Sequence, residues 1–339
     1  MTSQDIHINF DHRPAAHCET GVSSNLLRFY HINLSEAMVF GIGSGLYFGF
    51  LPFIKVNGIP LITFRPWMGT IFSKVNHRLG VRFQRNKFKN PRQAMEALDK
   101  NLEQGIPTGC VVGVFHLTYF PKAFRFHFNA HNIVVIGKEN GEYLISDPIM
   151  EDIQRLSYED LMRVRFAQGV FPPKGQMYFI TEVPSSFDLK KAIALAIRKT
   201  SQVMLRTPVP LIGAKGIRFL GRRMRKWPEK LGPKQASLYL GQIVRMLEEI
   251  GTGGAGFRFI YAAFLQEAAK ELNQPWLNDR SREMTEDGDR WREFAVMAVR
   301  IFKNRAGMDD SFSAAADILM NIADREEQVL QKLSSITPD

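Results

Sequence analysis

The 339-residue chain is 45% hydrophobic and 23% charged. That balance excludes wholesale disorder and leaves room for two domains or one large one. Its two cysteines, Cys18 and Cys110, are too few for a disulfide-stapled secreted scaffold and favour a reducing compartment. The opening MTSQDIHINFDHRP lacks the basic segment and apolar run of a signal peptide. The apolar stretch Ala37 to Ile54 is broken by Gly, Ser and Pro, so the expected location is the cytoplasm.

Charge is unevenly placed. The formal net charge is +10, and nine Lys or Arg stand between Ala37 and Met95 with no Asp or Glu. A second cluster from Lys215 to Lys230 holds seven basic residues and one acid, Glu229. An anionic partner surface is implied. No nucleic-acid motif accompanies the charge, so nucleic acid is not the expected partner, and the histidines lack the spacing of a metal site.

Taken in chain order, residues 20–33 read as a helix, with Val22, Leu26, Leu27 and Tyr30 at helical spacing. Ser35 caps a short helix that dissolves into Gly41, Gly43 and Gly45. Residues 59–64 read as a strand and 67–79 as a helix. Asn90-Pro91 opens another helix, with Pro in its first turn, closed by Gly105. Residues 108–115 and 132–137 are buried-strand patterns, and Asn140-Gly141 is a hairpin turn returning into EYLISD. Residues 157–167 read as a helix capped by Ser157, and 176–181 as a last strand.

Beyond Val183-Pro184 strand signals nearly vanish, and six helical segments follow: 187–204, 210–226, 233–250, 256–273, 280–305 and 311–333. The expected architecture is α+β: a domain over 1–184 with a helix packed on an antiparallel sheet, then an all-α domain over 185–339. No glycine fingerprint sits at nucleotide-binding spacing. Gly251, Gly253 and Gly254 read first as an interhelical turn and second as a phosphate cradle.

Three residues form a chemical set. Cys18 stands just before the first helix, where the helix dipole and backbone amides favour a thiolate and an oxyanion. His131 immediately precedes a strand, a rigid platform for a general base. Asp147 ends the paired strand at the same open end of the hairpin, placed to orient the imidazole. A buried thiol, a surface histidine and a turn aspartate are the bland readings of each alone. Their order and placement together predict a Cys–His–Asp nucleophile. His116 and His127 are nearby competitors, and His127 sits in an aromatic FRFHF stretch that reads as packing.

HCETGVSSNLLRFY, LSEAMVFGIGSGLYF, the run from NPRQAMEALDK to HLTYFP, and AHNIVVIGKENGEYLISDP resemble the N-terminal domain of the butirosin biosynthesis protein H family. GTGGAGFRFIYAAFLQEA resembles the helical domain usually joined to it. The resemblance implies a papain-like fold and an acyltransferase. Such an enzyme takes an acyl group from an acyl carrier protein thioester and passes it to a small-molecule amine, or to a hydroxyl, in a natural-product or lipid pathway. Cys18, His131 and Asp147 then fall on the nucleophile, base and orienting positions. No cofactor is held by the chain itself; phosphopantetheine belongs to the carrier.

Papain-like peptidases often place Gln where His12 stands, so His12 or backbone amides are the expected oxyanion donors. Where an acid is expected ahead of the LTYFP stretch, the chain has His116. Glu36 reads as a first-turn helix acid, with binding of the acceptor amine as the alternative. Gly43 allows close approach of pantetheine or an acyl chain, or tight packing. Carrier docking falls on the basic stretches, at Arg78, Arg82, Arg85, Arg218, Arg222 and Arg223. The second stretch, interleaved with Ile217, Phe219, Leu220 and Trp227, also resembles an amphipathic helix lying on a membrane. A cysteine hydrolase (peptidase, amidase or thioesterase) and a non-catalytic carrier- or membrane-binding module are the rival readings.

Overall fold

The computed structural model describes residues 5–337. Met1–Gln4 and Pro338–Asp339, the outer ends of the two expected domains, lie outside the described residues. In chain order the elements begin with β1 (Ile6–His7), α1 (Cys18–Phe29), α2 (Glu36–Ile42), β2 (Gly49–Val56), β3 (Ile59–Thr63) and α3 (Thr70–Arg78). Then come β4 (Arg82–Asn86), α4 (Pro91–Glu103), β5 (Thr108–Val112), β6 (His131–Glu139), β7 (Glu142–Ser146), β8 (Gln154–Leu156), α5 (Tyr158–Arg165) and β9 (Met177–Glu182). Helices follow: α6 (Leu189–Arg206), α7 (Gly213–Met224), α8 (Trp227–Leu231), α9 (Pro233–Val244), α10 (Arg258–Glu271), α11 (Trp276–Phe302) and α12 (Phe312–Leu333).

The chain forms two compact units, and they divide it differently from the expected break at 184/185. The first unit is Met1–Glu36 with Val75–Phe187; the second is Ala37–Lys74 with Asp188–Asp339. Residues 37–74 go with the helices because their apolar groups find partners there. The ring of Phe264 occupies the space a side chain at Gly41 would need. Phe48 and Phe64 pack on Trp291 at 6.0 and 5.3 Å between ring centroids. Beyond residue 188 the described chain is helical, as expected, and the second unit adds to those helices the β2–β3 hairpin from residues 37–74.

The first unit is α+β. Its sheet runs β4-β9-β5-β6-β7-β8, with β1 also paired to β6, and every pairing is antiparallel. Side chains alternate across a strand, so Cys110, Val112, Ile133, Val135, Met177 and Phe179 share one face. There they meet Met95, Leu98 and Leu102 of α4 and Leu161 and Val164 of α5. Asn90 caps α4 by accepting from Arg92 N–H at 2.9 Å, and Ser157 caps α5 by accepting from Asp160 N–H at 3.1 Å. The pattern read as a strand through Phe115 ends at Val112, and Val114–His116 turns as a 3-10 helix.

In the second unit, Arg258 and Glu326 are both wholly buried. The guanidinium donates to the two carboxylate oxygens at 2.8 and 3.0 Å, and Trp291 Nε1–H adds a donor at 2.8 Å. Arg258 also donates to Gly256 O at 2.8 Å. Gly251, Gly253 and Gly254 all adopt positive φ, which is the conformation of a turn feeding this inward-pointing arginine. Removing one partner of a buried pair strands the other charge. Glu326→Ala is expected to lose about 3–5 kcal/mol of unfolding free energy, read as a lowered urea midpoint.

Candidate active site

The first helix begins at Cys18, with His17 in extended conformation as its cap; the His17 ring Nδ1 lies 3.1 Å from the Thr20 hydroxyl, and its side chain caps no backbone amide of the helix. Glu36 instead holds the residues that lead into the helix. Its carboxylate accepts from Ala16 N–H at 2.9 Å, His17 N–H at 2.8 Å and the Thr20 hydroxyl at 2.9 Å. An anion at a helix N-terminus is favourable, and here it fixes the chain that delivers Cys18. One turn on, Gly21 leaves α1 bare. A Cβ there would stand 2.6 Å from both Ala15 Cβ and Pro148 Cβ, and Ala15 N–H donates to Pro148 O at 2.7 Å. The segment carrying Asp147 is thereby pressed against the helix carrying Cys18.

His131 opens β6 opposite Val112, and Asp147 follows the end of β7, whose Ser146 pairs with Val134. The antiparallel register brings both to one end of the hairpin. His131 Nε2 lies 2.7 Å from Asp147 Oδ2. That leaves Nδ1 for the Cys18 side chain, to which the ring is hydrogen-bonded. Asp147 is wholly buried and receives two further donors, Tyr119 Oη–H at 2.8 Å and Ile149 N–H at 3.1 Å. Phe120 lies against the imidazole at 5.6 Å between centroids. Both cysteines are unbridged and buried; Cys110 belongs to the sheet core, where burial pushes its thiol up.

Electrostatics follow from this geometry. Burial alone lowers the His131 imidazole, but the Asp147 carboxylate and the Cys18 side chain raise it to about 10. Burial alone raises Asp147, but His131 and the hydrogen bonds from Ile149 and Tyr119 hold it below the ordinary carboxylate value. Burial and the same carboxylate push the Tyr119 hydroxyl well up, so it stays a donor. An imidazolium at His131 is thus favoured by negative charge on either neighbour, the Asp147 carboxylate or the Cys18 side chain.

Residues 17–148, which contain Cys18, His131 and Asp147, match the family model "Butirosin biosynthesis protein H, N-terminal". Residues 159–333, more than half of the chain, match "Domain of unknown function (DUF4872)". The chain belongs to the butirosin biosynthesis protein H family. The antiparallel sheet of the first unit, with helices packed on it, is the α+β fold that the sequence resemblance implies. Among solved structures, a protein from Bacillus anthracis described as a C39-like peptidase aligns with a TM-score of 0.39 at 12% identity. That alignment covers 53% of this chain and 98% of the other. No curated protein matches the chain by sequence.

Other sequence expectations are corrected. His12 is not aimed at the sulfur as an oxyanion donor. Its Nδ1 lies 2.8 Å from Ser146 Oγ, and its Nε2 lies 3.1 Å from Met150 O and from Glu151 O, so both nitrogens tie the strand before β7's end to the turn beyond it. Glu36 does not present its carboxylate to an acceptor amine, because both oxygens hold residues 16–20. Gly43 lies in the second unit, where a Cβ would meet Ile71 at 2.4 Å; packing accounts for it. His127 stacks on Phe115 at 4.1 Å, and His116 meets the same ring edge-on.

The docking arginines divide as well. Burial lowers Arg78 to about 10. Arg82 donates to Glu182 at 2.8 Å, and the Arg85 guanidinium lies 5.8 Å from the Phe83 ring centroid. Arg218 is held by Asp324, at 2.6 Å, and by Glu327. Arg222 and Arg223 line an open groove. The apolar stripe of α7, Ile217 and Leu220, is wholly buried, so that helix does not lie on a membrane by that face. Among the described residues, no helix is long and apolar enough to cross a membrane. None of their His, Cys, Asp and Glu side chains form a group of three or more placed to hold a metal ion.

Sequence reasoning missed Asn132 and Tyr119. Asn132 Nδ2–H donates to Cys18 Sγ at 3.8 Å, and its oxygen accepts from Tyr178 Oη–H at 2.8 Å. Its position next to His131, at the start of a strand that otherwise runs apolar, was the available signal. Tyr119 carried none.

Two outcomes are expected. The His131 contribution to stability is full below the ordinary imidazole value of about 6.5 and is lost as pH rises through about 10. The Asp147 contribution is full above the ordinary carboxylate value of about 3.9 and is lost as pH falls below it. Urea titrations across pH are expected to show the wild type's advantage over Asp147→Asn greatest between about pH 4 and 6.5, declining on both sides. Separately, Gly21→Ala is expected to slow iodoacetamide alkylation of Cys18 severalfold, because Pro148 and the Asp147 segment must shift.

Proposed function

We propose that the protein is an acyltransferase that moves an acyl group from an acyl carrier protein thioester to a small-molecule amine through a Cys18 acyl-enzyme, within a natural-product or lipid pathway. The observation that carries the reading is the buried His131–Asp147 pair presenting its remaining ring nitrogen to a cysteine at the first residue of a helix. Family membership supports the carrier substrate.

In the first half-reaction the Cys18 thiolate attacks the thioester carbonyl carbon. The oxyanion is stabilised by the N-terminal end of α1 and by the Asn132 side-chain amide, which already stands beside the sulfur. Collapse breaks the carbon–sulfur bond to phosphopantetheine, and the His131 imidazolium gives its Nδ1 proton to the departing thiolate. In the second, the acceptor amine attacks the acyl-enzyme while neutral His131 takes its proton. Collapse releases the amide and restores the Cys18 thiolate and the imidazolium. Asp147 holds Nε2–H throughout, so the same nitrogen, Nδ1, faces the sulfur in both steps. Exchange of one thioester for another is nearly neutral, and amide formation drives the sequence forward. The kinetics are therefore ping-pong.

The test is intact-protein mass after incubation with acylated carrier proteins bearing short, long and aromatic acyl groups. The wild type is expected to gain the acyl mass, Cys18→Ala to gain none, and a suitable amine to discharge the adduct into an amide. Discharge by water alone, with no amine acceleration, would assign a cysteine hydrolase. Intact carrier thioesters and no adduct across all acyl classes would remove the transferase reading.

A further inference from the structure

The second unit carries an open groove of about 540 Å³ that the chemistry at Cys18 does not use. Its floor is aromatic. Phe50 lies between Phe219 and Trp227, at 6.1 and 6.3 Å, and Trp227 meets Tyr239 edge-on at 5.5 Å. Six cations line it, Lys55, Arg222, Arg223, Arg225, Lys226 and Lys230, with no acid among the lining residues. Arg225 is paired with Asp317. The other five have no ion pair among the described residues, although Arg223 also sits over the Phe219 ring at 5.5 Å. Cationic walls over an apolar floor suit an anionic head on an apolar body.

A second observation at the rim says what kind of body. The β2–β3 ladder loses register between Leu51 and Lys55, and residues 52–54 bulge out of it. Pro52 and Lys55, at the base of the bulge, line the groove. Phe53 at its tip is 71% exposed and Ile54 41%. Leu231, on the groove wall, is exposed as well. A bulge in an edge hairpin re-aims side chains, and here it turns a phenylalanine and an isoleucine into solvent beside five unpaired cations. An acidic protein surface would satisfy the cations and leave Phe53 and Ile54 in water. An anionic bilayer surface satisfies both, with phosphates meeting the basic walls and the aromatic tip entering the interface.

We infer that this face docks on an anionic phospholipid membrane, with a lipid phosphate seated between Arg222, Arg223 and Lys226, and Phe53 and Ile54 inserted among the acyl chains. The inference does not depend on the reaction at Cys18.

The experiment is co-sedimentation of the full chain with vesicles of phosphatidylcholine alone and of phosphatidylcholine containing phosphatidylglycerol. Binding is expected only to the anionic vesicles, weakening with added salt. It is expected to fall about tenfold or more in R222E/R223E, and likewise in Phe53→Ser/Ile54→Ser, two exposed changes that the fold tolerates. Unchanged circular-dichroism melting in the second variant separates lost docking from lost folding. No binding to anionic vesicles, equal binding to neutral ones, or full binding by Phe53→Ser/Ile54→Ser would overturn the inference. Capture of an acidic carrier protein in place of vesicles, abolished by R222E/R223E, would overturn it too and make the groove a protein-docking face.

Discussion

Asp147 is wholly buried, and an isolated carboxylate in such a place is costly enough to protonate or to unfold its surroundings. The first unit is arranged so that it is not isolated. His131, Tyr119 and the Ile149 amide all donate to it, and each donor depends on a different piece of the fold. His131 depends on the β6–β7 register, Tyr119 on the loop after β5, and Ile149 on the turn after Pro148. A slip of one residue in the hairpin would reverse which face each side chain occupies and strand the carboxylate. Strand pairing and candidate chemistry are thus selected by the same constraint.

The approach of Cys18 to this pair is set from the other side. Helix α1 carries no side-chain cap of its own, and the Glu36 carboxylate anchors residues 16 and 17 just ahead of it. Gly21 sets the distance by letting Pro148 come down on the helix, and His12 ties Ser146 to the turn at Met150 and Glu151. None of these groups needs to touch a substrate. They act as supports that fix where the sulfur and imidazole stand, and a nucleophile of this kind loses rate steeply with small errors in that placement.

How much of this is legible in the sequence depends on how local the cause is. The caps at Asn90 and Ser157, the Asn140-Gly141 turn and the helical periodicity beyond residue 188 are local, and the elements they mark stand where the spacing places them. Cys18, His131 and Asp147 are legible because each sits at an element boundary, and a hairpin fixes the relation of the last two. Strand β2 is hidden by Pro52 and by its bulge, and β4 by its polar edge sequence RFQRN. Glu36, His12 and Asn132 take their roles from chain segments as far as 139 positions away. Nothing within a few residues of each announces that. The departure of residues 37–74 to the second unit is of the same kind. It follows from Phe264 meeting Gly41 and from Trp291 meeting Phe48 and Phe64, pairings that no contiguous reading contains.

The basic excess shows the same separation between composition and use. Read along the chain, the acid-free stretch and the 215–230 cluster point to an anionic partner surface without saying which of their cations face it. In the structure the charges are spent separately: Arg82 on Glu182, Arg218 on Asp324 and Glu327, Arg225 on Asp317. Exposed pairs of this sort add little stability, but they do cancel charge locally. What remains uncancelled at the groove is a compact set on α7, α8 and the β2–β3 hairpin. A net charge of +10 argues only for an anionic partner in general. Five unpaired cations around an aromatic floor, next to an exposed Phe53, constrain the shape and polarity of that partner. The specificity resides in which charges the fold leaves without an acid, a property of tertiary arrangement that counting lysines and arginines does not supply.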